Sequence, residues 1–505
     1  MAGVSKGPDC PSLLPRITLR AVEFEPPGRA TRIPRAPGDT SPYPATHPPD
    51  APSKTRPTGD WSSRSRDFRH CSGAPEAPIV ETARAISGPN EGCAVKRLLV
   101  LGGGTAGTMI VNKLRRQLKS DEWQISVIDQ DDTHRYQPGY LFLPFGAYSA
   151  DQVTRSRHVF LPDGVDFIIG DVDRVDADGN CVTLANGRTL PYDYLVIASG
   201  TTPRPDQTPG MLGSQWRQSI FDFYSFEGAQ ALAAALKKFH GGRFVIHITD
   251  MPIKCPVAPL EFTFLADAYF RERGIRDRVE MVYVTPLSGA FTKPISSAYL
   301  GSMLTDRKVA VESDFLVEHI DPETKSLVSF DERVIGFDLL VTVPLNMGAD
   351  FVARSGLGDD LNYVPVDKHT LLSTKYPNIF AVGDASNIPA SKAGSVAHFA
   401  VDIFVDNFLE HIQGKAMTGS FDGHANCFIE SGDGKGLLID FNYDTQPLPG
   451  KYPVPGVGPF SLLKETRANH FGKLAFRWMY WNVLLPGRPI PLPANMSMAG
   501  KKTDN

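Results

Sequence analysis

Short, nearly continuous apolar runs alternate with amphipathic stretches along most of the chain, the pattern of buried parallel strands followed by helices. Lys96–Leu101 is such a run, and the stretch opening at Gly102 puts Met109, Val111 and Leu114 on one side of a helix. Residues 124–129 form a second run, ending in Asp129. Residues 243–249 and 280–285 repeat the arrangement, with a tight turn after the first leading into a helix that carries Glu261. This alternation predicts an α/β fold with two Rossmann-like, dinucleotide-binding domains. After residue 411 the period changes, and 426–430 with 436–441 read as paired strands about a Gly-rich turn, which places Cys427 on a β-hairpin. Residues 461–485 return to a helical period. Phe471, Leu474, Ala475, Trp478 and Leu485 fall along one side, with Lys464, Arg467, Lys473 and Arg477 elsewhere. An apolar face with aromatics and a basic rim is how an amphipathic helix lies in a bilayer interface.

The expected organisation follows from these changes of pattern. Residues 1–94 form a Pro/Arg-rich extension, 95–212 the first part of a nucleotide domain, and 213–332 a second Rossmann-like domain. Residues 333–415 return to the first domain through the apolar run 337–343. The hairpin segment spans 416–460 and the amphipathic membrane-associating region 461–505.

The chemistry begins at two turns. Gly102, Gly104, Thr105, Ala106 and Gly107 lie between the first strand and its helix: Gly102 makes the turn, Gly104 admits a pyrophosphate, and Gly107 lets helix and sheet pack closely. Asp129 supplies the acid that binds a ribose hydroxyl, so strand, glycines, helix and acid are in register for a dinucleotide. The corresponding turn of the second unit has no such glycines. Met251, Pro252, Lys254 and Pro256 occupy it and would keep a pyrophosphate from the backbone, and Cys255 stands where a nicotinamide-binding loop would be. Beside a lysine and near a helix N-terminus, this thiol is expected to ionise more easily than a free cysteine.

Composition narrows the reading without deciding it. The chain has 505 residues, 42% of them apolar and 21% charged, with a net charge of −4, which fits two or three packed domains and argues against general nucleic-acid binding. No uninterrupted apolar window reaches eighteen residues, so membrane contact should be peripheral. Residues 1–92, with runs such as Pro26-Pro27, lack any sustained period and are expected to be disordered; the natural start is expected near Val95. Of six cysteines, Cys10, Cys71 and Cys93 fall in that extension and Cys181 lies on an expected strand, leaving Cys255 and Cys427 as a candidate redox pair. Their spacing matches neither a Cys-x-x-Cys motif nor an obvious zinc site, so no metal is expected.

Two further segments resemble elements of the two-dinucleotide flavoprotein reductases: the strand and small-residue turn ending at Ser199 and Gly200, and the strand ending at Gly383 and Asp384. The resemblance implies FAD, with Asp384 on the flavin ribityl chain and Lys392 and Gly394 at a helix start facing the flavin. From about residue 95 to 500, about four fifths of the chain, the sequence resembles the sulfide:quinone oxidoreductases, most of all their type III group. The carrying segments are Gly102 to Gly107, the run from His134 to Gly139, that from Lys254 to Glu261, Gly383-Asp384, and the stretch around His424 and Cys427. The resemblance implies oxidation of sulfide to sulfur or polysulfide through Cys255 and Cys427. Cys427 would pass two electrons to the flavin, Glu261 would carry the proton, and a membrane quinone would be the final acceptor.

Lys464, Phe471 and Trp478 are assigned to the quinone and membrane side. The expected partners are therefore sulfide, a membrane quinone and the bilayer surface, on the cytoplasmic face, with a homo-oligomer left open. Many members carry a third cysteine near the flavin; the run from Ser199 to Pro205 has none, so a two-thiol cycle is expected. The alternatives weighed are a type II NADH:quinone oxidoreductase, which would need the missing glycine loop, a flavocytochrome-type sulfide dehydrogenase subunit, and a non-catalytic flavin module of the apoptosis-factor kind.

Overall fold

The computed structural model of the protein describes residues 95–502. The expectations for residues 1–94, including Cys10, Cys71 and Cys93, lie outside the described residues.

Two five-stranded parallel sheets organise the molecule. In the first, spatial order runs Ile379–Ala381, Tyr194–Ile197, Lys96–Leu101, Trp123–Asp129, Val165–Ile169, with Leu98 beside Ile125 and Tyr194. Its central strand is apolar on consecutive positions because both of its faces are covered: Leu98, Leu99, Val100 and Leu101 are all buried. The second sheet runs Ile220–Phe221, Leu339–Val343, Gly242–Ile248, Val279–Val284, Val309–Glu312. Both are the open α/β sheets anticipated, and their carboxyl ends are where such folds bind ligands.

The run 337–343 differs from expectation. It does not return the chain to the first sheet but pairs with Gly242–Ile248 in the middle of the second, Val245 beside Leu340. A fully buried parallel strand is apolar on both faces whichever sheet receives it, so its pattern carries no address. The crossing back comes later, through Ile379–Ala381.

The hairpin after residue 411 pairs Ala425–Gly432 with Lys435–Phe441, Cys427 opposite Ile439. Asp433 and Gly434 turn it with φ of 55° and 66°, the left-handed pair that Asp-Gly adopts readily. It is not a lone hairpin, however: Gly458–Leu462 and Gly450–Val454 extend it to four strands. Arg467–Met479 is the amphipathic helix, its start capped by Thr466, whose hydroxyl accepts from Asn469 N–H at 3.0 Å. Among the described residues no helix is long and apolar enough to cross a membrane.

Candidate active site

A cleft of about 420 Å³ lies at the carboxyl ends of the first sheet, between the glycine turn, the cysteine turn and the C-terminal helix. Each glycine of the first turn has its own constraint. Gly102 has φ of +104°, and a Cβ there would meet the Ala198 carbonyl oxygen at 2.4 Å; one on Gly107 would meet the Gly102 carbonyl oxygen at 1.8 Å. A Cβ on Gly104 would have nothing within 4 Å, because Gly104 borders the cleft at the N-terminus of Thr105–Arg115. Gly107 therefore serves packing, whereas Gly104 keeps clear the place where a helix N-terminus attracts phosphate. Gly107→Ala is expected to destabilise the fold by about 1–3 kcal/mol or more. Gly104→Ala should melt like the parent in the nucleotide-free state yet bind a dinucleotide more weakly, a contrast read from thermal unfolding and from the ratio of bound nucleotide to protein.

Asp129 also closes this turn. Its Oδ2 accepts from Gly103 N–H at 2.7 Å and its Oδ1 lies 3.0 Å from Arg157 Nη2. Burial pushes its carboxyl above the usual range, opposed by Arg157 and the two backbone donors. Arg157 had no signal of its own in the sequence. Thr105 and Ala106 line the cleft, and Thr105 Oγ1 shares a 2.8 Å hydrogen bond with the Tyr480 hydroxyl, itself 2.8 Å from His134 Nε2. The C-terminal element is thereby fastened to the nucleotide turn.

On the opposite wall stand Ser199, Gly200, Gly383, Asp384, Lys392 and Gly394. Ser199 Oγ is buried without a protein partner, and Gly200, Gly383 and Gly394 lie where the wall is backbone alone. Lys392 Nζ donates at 3.0 Å to the carbonyls of Asp384 and of Ser386 and sits 3.6 Å from the centre of the Tyr363 ring. Burial lowers its pKa to about 8, against the pull of Asp384. Burial raises the Asp384 carboxyl in turn, with Lys392 and Lys254 opposing. A glycine-lined helix N-terminus, an unpartnered hydroxyl and a cationic wall fit a dinucleotide with a flavin ring.

Cys255 borders the same cleft. Its backbone is left-handed, φ 46°, held by its N–H donating to the Lys392 carbonyl at 2.6 Å and by its carbonyl accepting from Tyr224 at 3.3 Å. The cysteine turn and the Lys392 wall are thus one unit. Cys427 is not on the cleft surface itself. It contacts the Ser395 hydroxyl in the first turn of Gly394–His411, and its charge bears on Cys255. Both cysteines, like Cys181, are free thiols here.

The expected ease of ionisation is not found. Burial pushes the Cys255 thiol well above its ordinary value, and the neighbouring Glu261 and Cys427 push the same way, while Lys473 and a bond from Ala258 N–H oppose them weakly. Burial likewise pushes Cys427 up to about 11, with Lys473 opposing. The helix begins only at Ala258, and the field of a helix end fades within a turn, so desolvation wins.

Glu261 is buried in the first turn of Ala258–Glu272. Its Oε1 accepts from Lys473 Nζ at 2.7 Å and from Glu430 N–H at 2.8 Å, while Oε2 has no partner. Burial raises its carboxyl and Lys473 opposes. Lys473 is the functional residue the helical pattern concealed. Asn469, Lys473, Phe476 and Tyr480 form the inward stripe, and the last three line the cleft. The basic rim is corrected accordingly: Lys473 turns inward onto Glu261 with its side chain only 11% exposed, and Arg477 stacks at 4.3 Å over Tyr148. Leu485 is buried in the core beyond the helix. Phe471 and Trp478 are each 65% exposed on the outer face, and Lys464 precedes the helix on the surface. None of these three reaches the cleft. Spacing of 4, 3 and 4 from Asn469 was the available signal, obscured because two of the four side chains are polar.

The pyridine nucleotide-disulphide oxidoreductase family matches residues 96–249, which span the glycine turn and the strand leading to Cys255. Together with the two sheets, this match gives the fold class, a two-Rossmann arrangement of the pyridine nucleotide-disulphide oxidoreductase type. In sequence the chain is similar to sulfide:quinone oxidoreductases. It is 27% identical over 397 residues to the mitochondrial sulfide:quinone oxidoreductase of Mus musculus, covering 77% of this chain and 86% of that one. To the enzyme of the same name from Schizosaccharomyces pombe it is 28% identical over 416 residues, 76% and 89% of the two chains. The structure of the sulfide:quinone oxidoreductase from Aquifex aeolicus superposes with a TM-score of 0.64 at 20% identity, over 78% of this chain and 92% of that one, a likeness of fold.

Proposed function

We propose that the protein oxidises sulfide to sulfane sulfur and delivers the two electrons to a membrane quinone through FAD and the Cys255/Cys427 pair. The observation that carries this reading is Cys255 itself, a thiol bordering the nucleotide cleft in a turn locked to its wall, with a second thiol in electrostatic reach. Gly102, Gly104, Thr105, Ala106, Gly107 and Asp129 would hold the dinucleotide; Ser199, Gly200, Gly383, Asp384, Lys392 and Gly394 would hold the ring end. Bound there, FAD supplies a two-electron carrier between thiols and quinone.

The residues' own chemistry is thiol exchange. Hydrosulfide attacks the disulfide form of the pair: the Cys255–Cys427 bond breaks, a bond forms between the entering sulfur and one cysteine, and the products are a persulfide and a thiolate. The persulfide S–H bond then breaks and its proton passes to Glu261 Oε2, the oxygen left without a partner. Two electrons leave the two sulfur anions as they join into a sulfur bridge, and Cys427, against the helix start at Gly394, is the sulfur assigned to pass them on. Lys473 stabilises the Glu261 carboxylate and the thiolates of Cys255 and Cys427.

Phe471 and Trp478 on the outer face of the same helix fit a membrane surface, while Phe476 and Tyr480 inside it fit a quinone path. Lys464 stands at the start of that face and would meet anionic headgroups.

Anaerobic titration decides between this activity and an NADH:quinone oxidoreductase. Stoichiometric sulfide should bleach the flavin within the dead time of manual mixing, and decyl-ubiquinone should restore it; NADH and NADPH should leave it oxidised. The ground is the second turn, where Met251, Pro252 and Cys255 replace phosphate-binding glycines. Rapid bleaching by NADH with sulfide inert would overturn the assignment.

A further inference from the structure

Two buried carboxylates share one ammonium beside Cys255, and they are not equivalent. Glu261 and Glu430 are both nearly inaccessible, at 1% and 2%. Lys473 Nζ donates to Glu261 Oε1 at 2.7 Å and to the Phe428 carbonyl at 2.8 Å, and its charge acts on Glu430 as well. One cation cannot compensate two buried anions in full, so their proton affinities separate according to their remaining partners. Both oxygens of Glu430 are engaged by His470 Nδ1, at 2.9 and 3.1 Å, and His470 is in contact with solvent. Glu261 gives both of its donors to Oε1 and none to Oε2.

We propose that Glu430, held by His470, is a positioning residue that sets the proton affinity of Glu261, so that Glu261 takes the proton lost from sulfur while Glu430 stays ionised. This rests on the assignment of Glu261 as the proton acceptor. The two like charges oppose each other's ionisation, and the positive charge of Lys473 favours it; the free Oε2 of Glu261, against the two engaged oxygens of Glu430, is what directs the proton to Glu261. An S–H bond breaks, an O–H bond forms at Oε2, and no electrons move in this step.

The other groups facing Glu261 are few. Cys255 faces it from the cysteine turn, Cys427 from the hairpin, Tyr224 from the cleft wall and Tyr136 from the core. Arg477 and Tyr148 lie on the Lys473 side. None of them pairs with Oε2, which leaves Glu430 and Lys473 as the charges that a single substitution can change with least rearrangement. Glu430→Gln is well suited because the bond from its backbone N–H to Glu261 survives.

The test uses the flavin-loaded protein and two readouts. One is the pH midpoint of the Glu261 carboxyl C=O stretch, assigned by infrared difference against Glu261→Gln; the other is the acid limb of sulfide-driven flavin bleaching in stopped flow, with each rate divided by the hydrosulfide concentration at that pH so that protonation of the substrate drops out. Glu430→Gln should move both midpoints to lower pH by about one unit. Lys473→Gln should move both to higher pH. A loss of packing would lower the amplitude in both variants without shifting their midpoints in opposite directions. If Glu261→Gln removes the acid limb while the other two variants leave it in place, the role of Glu430 is wrong and that of Glu261 stands. Persistence of the acid limb in Glu261→Gln overturns both. Should Lys473→Gln not fold, the infrared midpoint of Glu430→Gln decides alone.

Discussion

Cys255→Ser and Cys427→Ser are each expected to abolish sulfide-driven flavin bleaching, by about 10³-fold or more, while the protein still binds its flavin. Serine keeps the size of the side chain but cannot form the sulfur bond on which exchange depends. The backbone of each cysteine is held without its sulfur, the Cys255 turn to Lys392 and Tyr224 and Cys427 by the ladder to Ile439, and a serine at 427 can keep the contact with the Ser395 hydroxyl. Because burial makes both thiols reluctant to ionise, the pair is expected to rest as a sulfur-bridged unit whose S–S bond sulfide opens, with no free thiolate waiting. Cys181→Ser serves as the control. Cys181 opens the strand Cys181–Leu184, paired with Val172–Asp176 in a separate small sheet, and does not border the cleft. Stopped-flow bleaching at fixed sulfide, with flavin content measured alongside, checks all three. A Cys427→Ser enzyme at parental speed would refute the pair; a dead Cys181→Ser enzyme would point to a third working sulfur.

The parts of this site visible in the sequence are those whose demands are local. Gly107 is dictated by the Gly102 carbonyl in its own turn and Gly102 by its left-handed φ of +104°, and Cys255 announces itself by occupying a turn whose function requires glycine. The hidden parts depend on partners far along the chain. The strand Leu339–Val343 looks alike for either sheet. Lys473 was placed on a solvent rim because helical period identifies a stripe but not its direction; only Glu261, 212 positions earlier, explains why a lysine points inward. The thiol's proton affinity failed for a related reason. Sequence proximity to a helix start is legible, whereas the water withheld by a folded cleft is not.

The outer face of Arg467–Met479 yields the second large effect. Phe471→Glu together with Trp478→Glu is expected to release the protein from vesicles and slow quinone reduction while leaving sulfide-driven bleaching intact. Both side chains are 65% exposed, so the charges enter water in the soluble state and the fold should tolerate them. At a bilayer interface the two aromatics together would contribute about 2–4 kcal/mol, roughly 10²-fold in partition. Leu485, by contrast, is fully buried, and a charge there would unfold the segment and report nothing about membranes. The inner stripe is untouched: Lys473 still meets Glu261, and Tyr480 still meets Thr105 and His134. Vesicle flotation and the two half-reactions measured separately by stopped flow make the comparison. If both half-reactions fall equally while flotation is unchanged, the helix is a brace for the cysteine site and the quinone enters by another route. Loss of flotation with only the quinone step slowed places the bilayer on the Phe471 and Trp478 face.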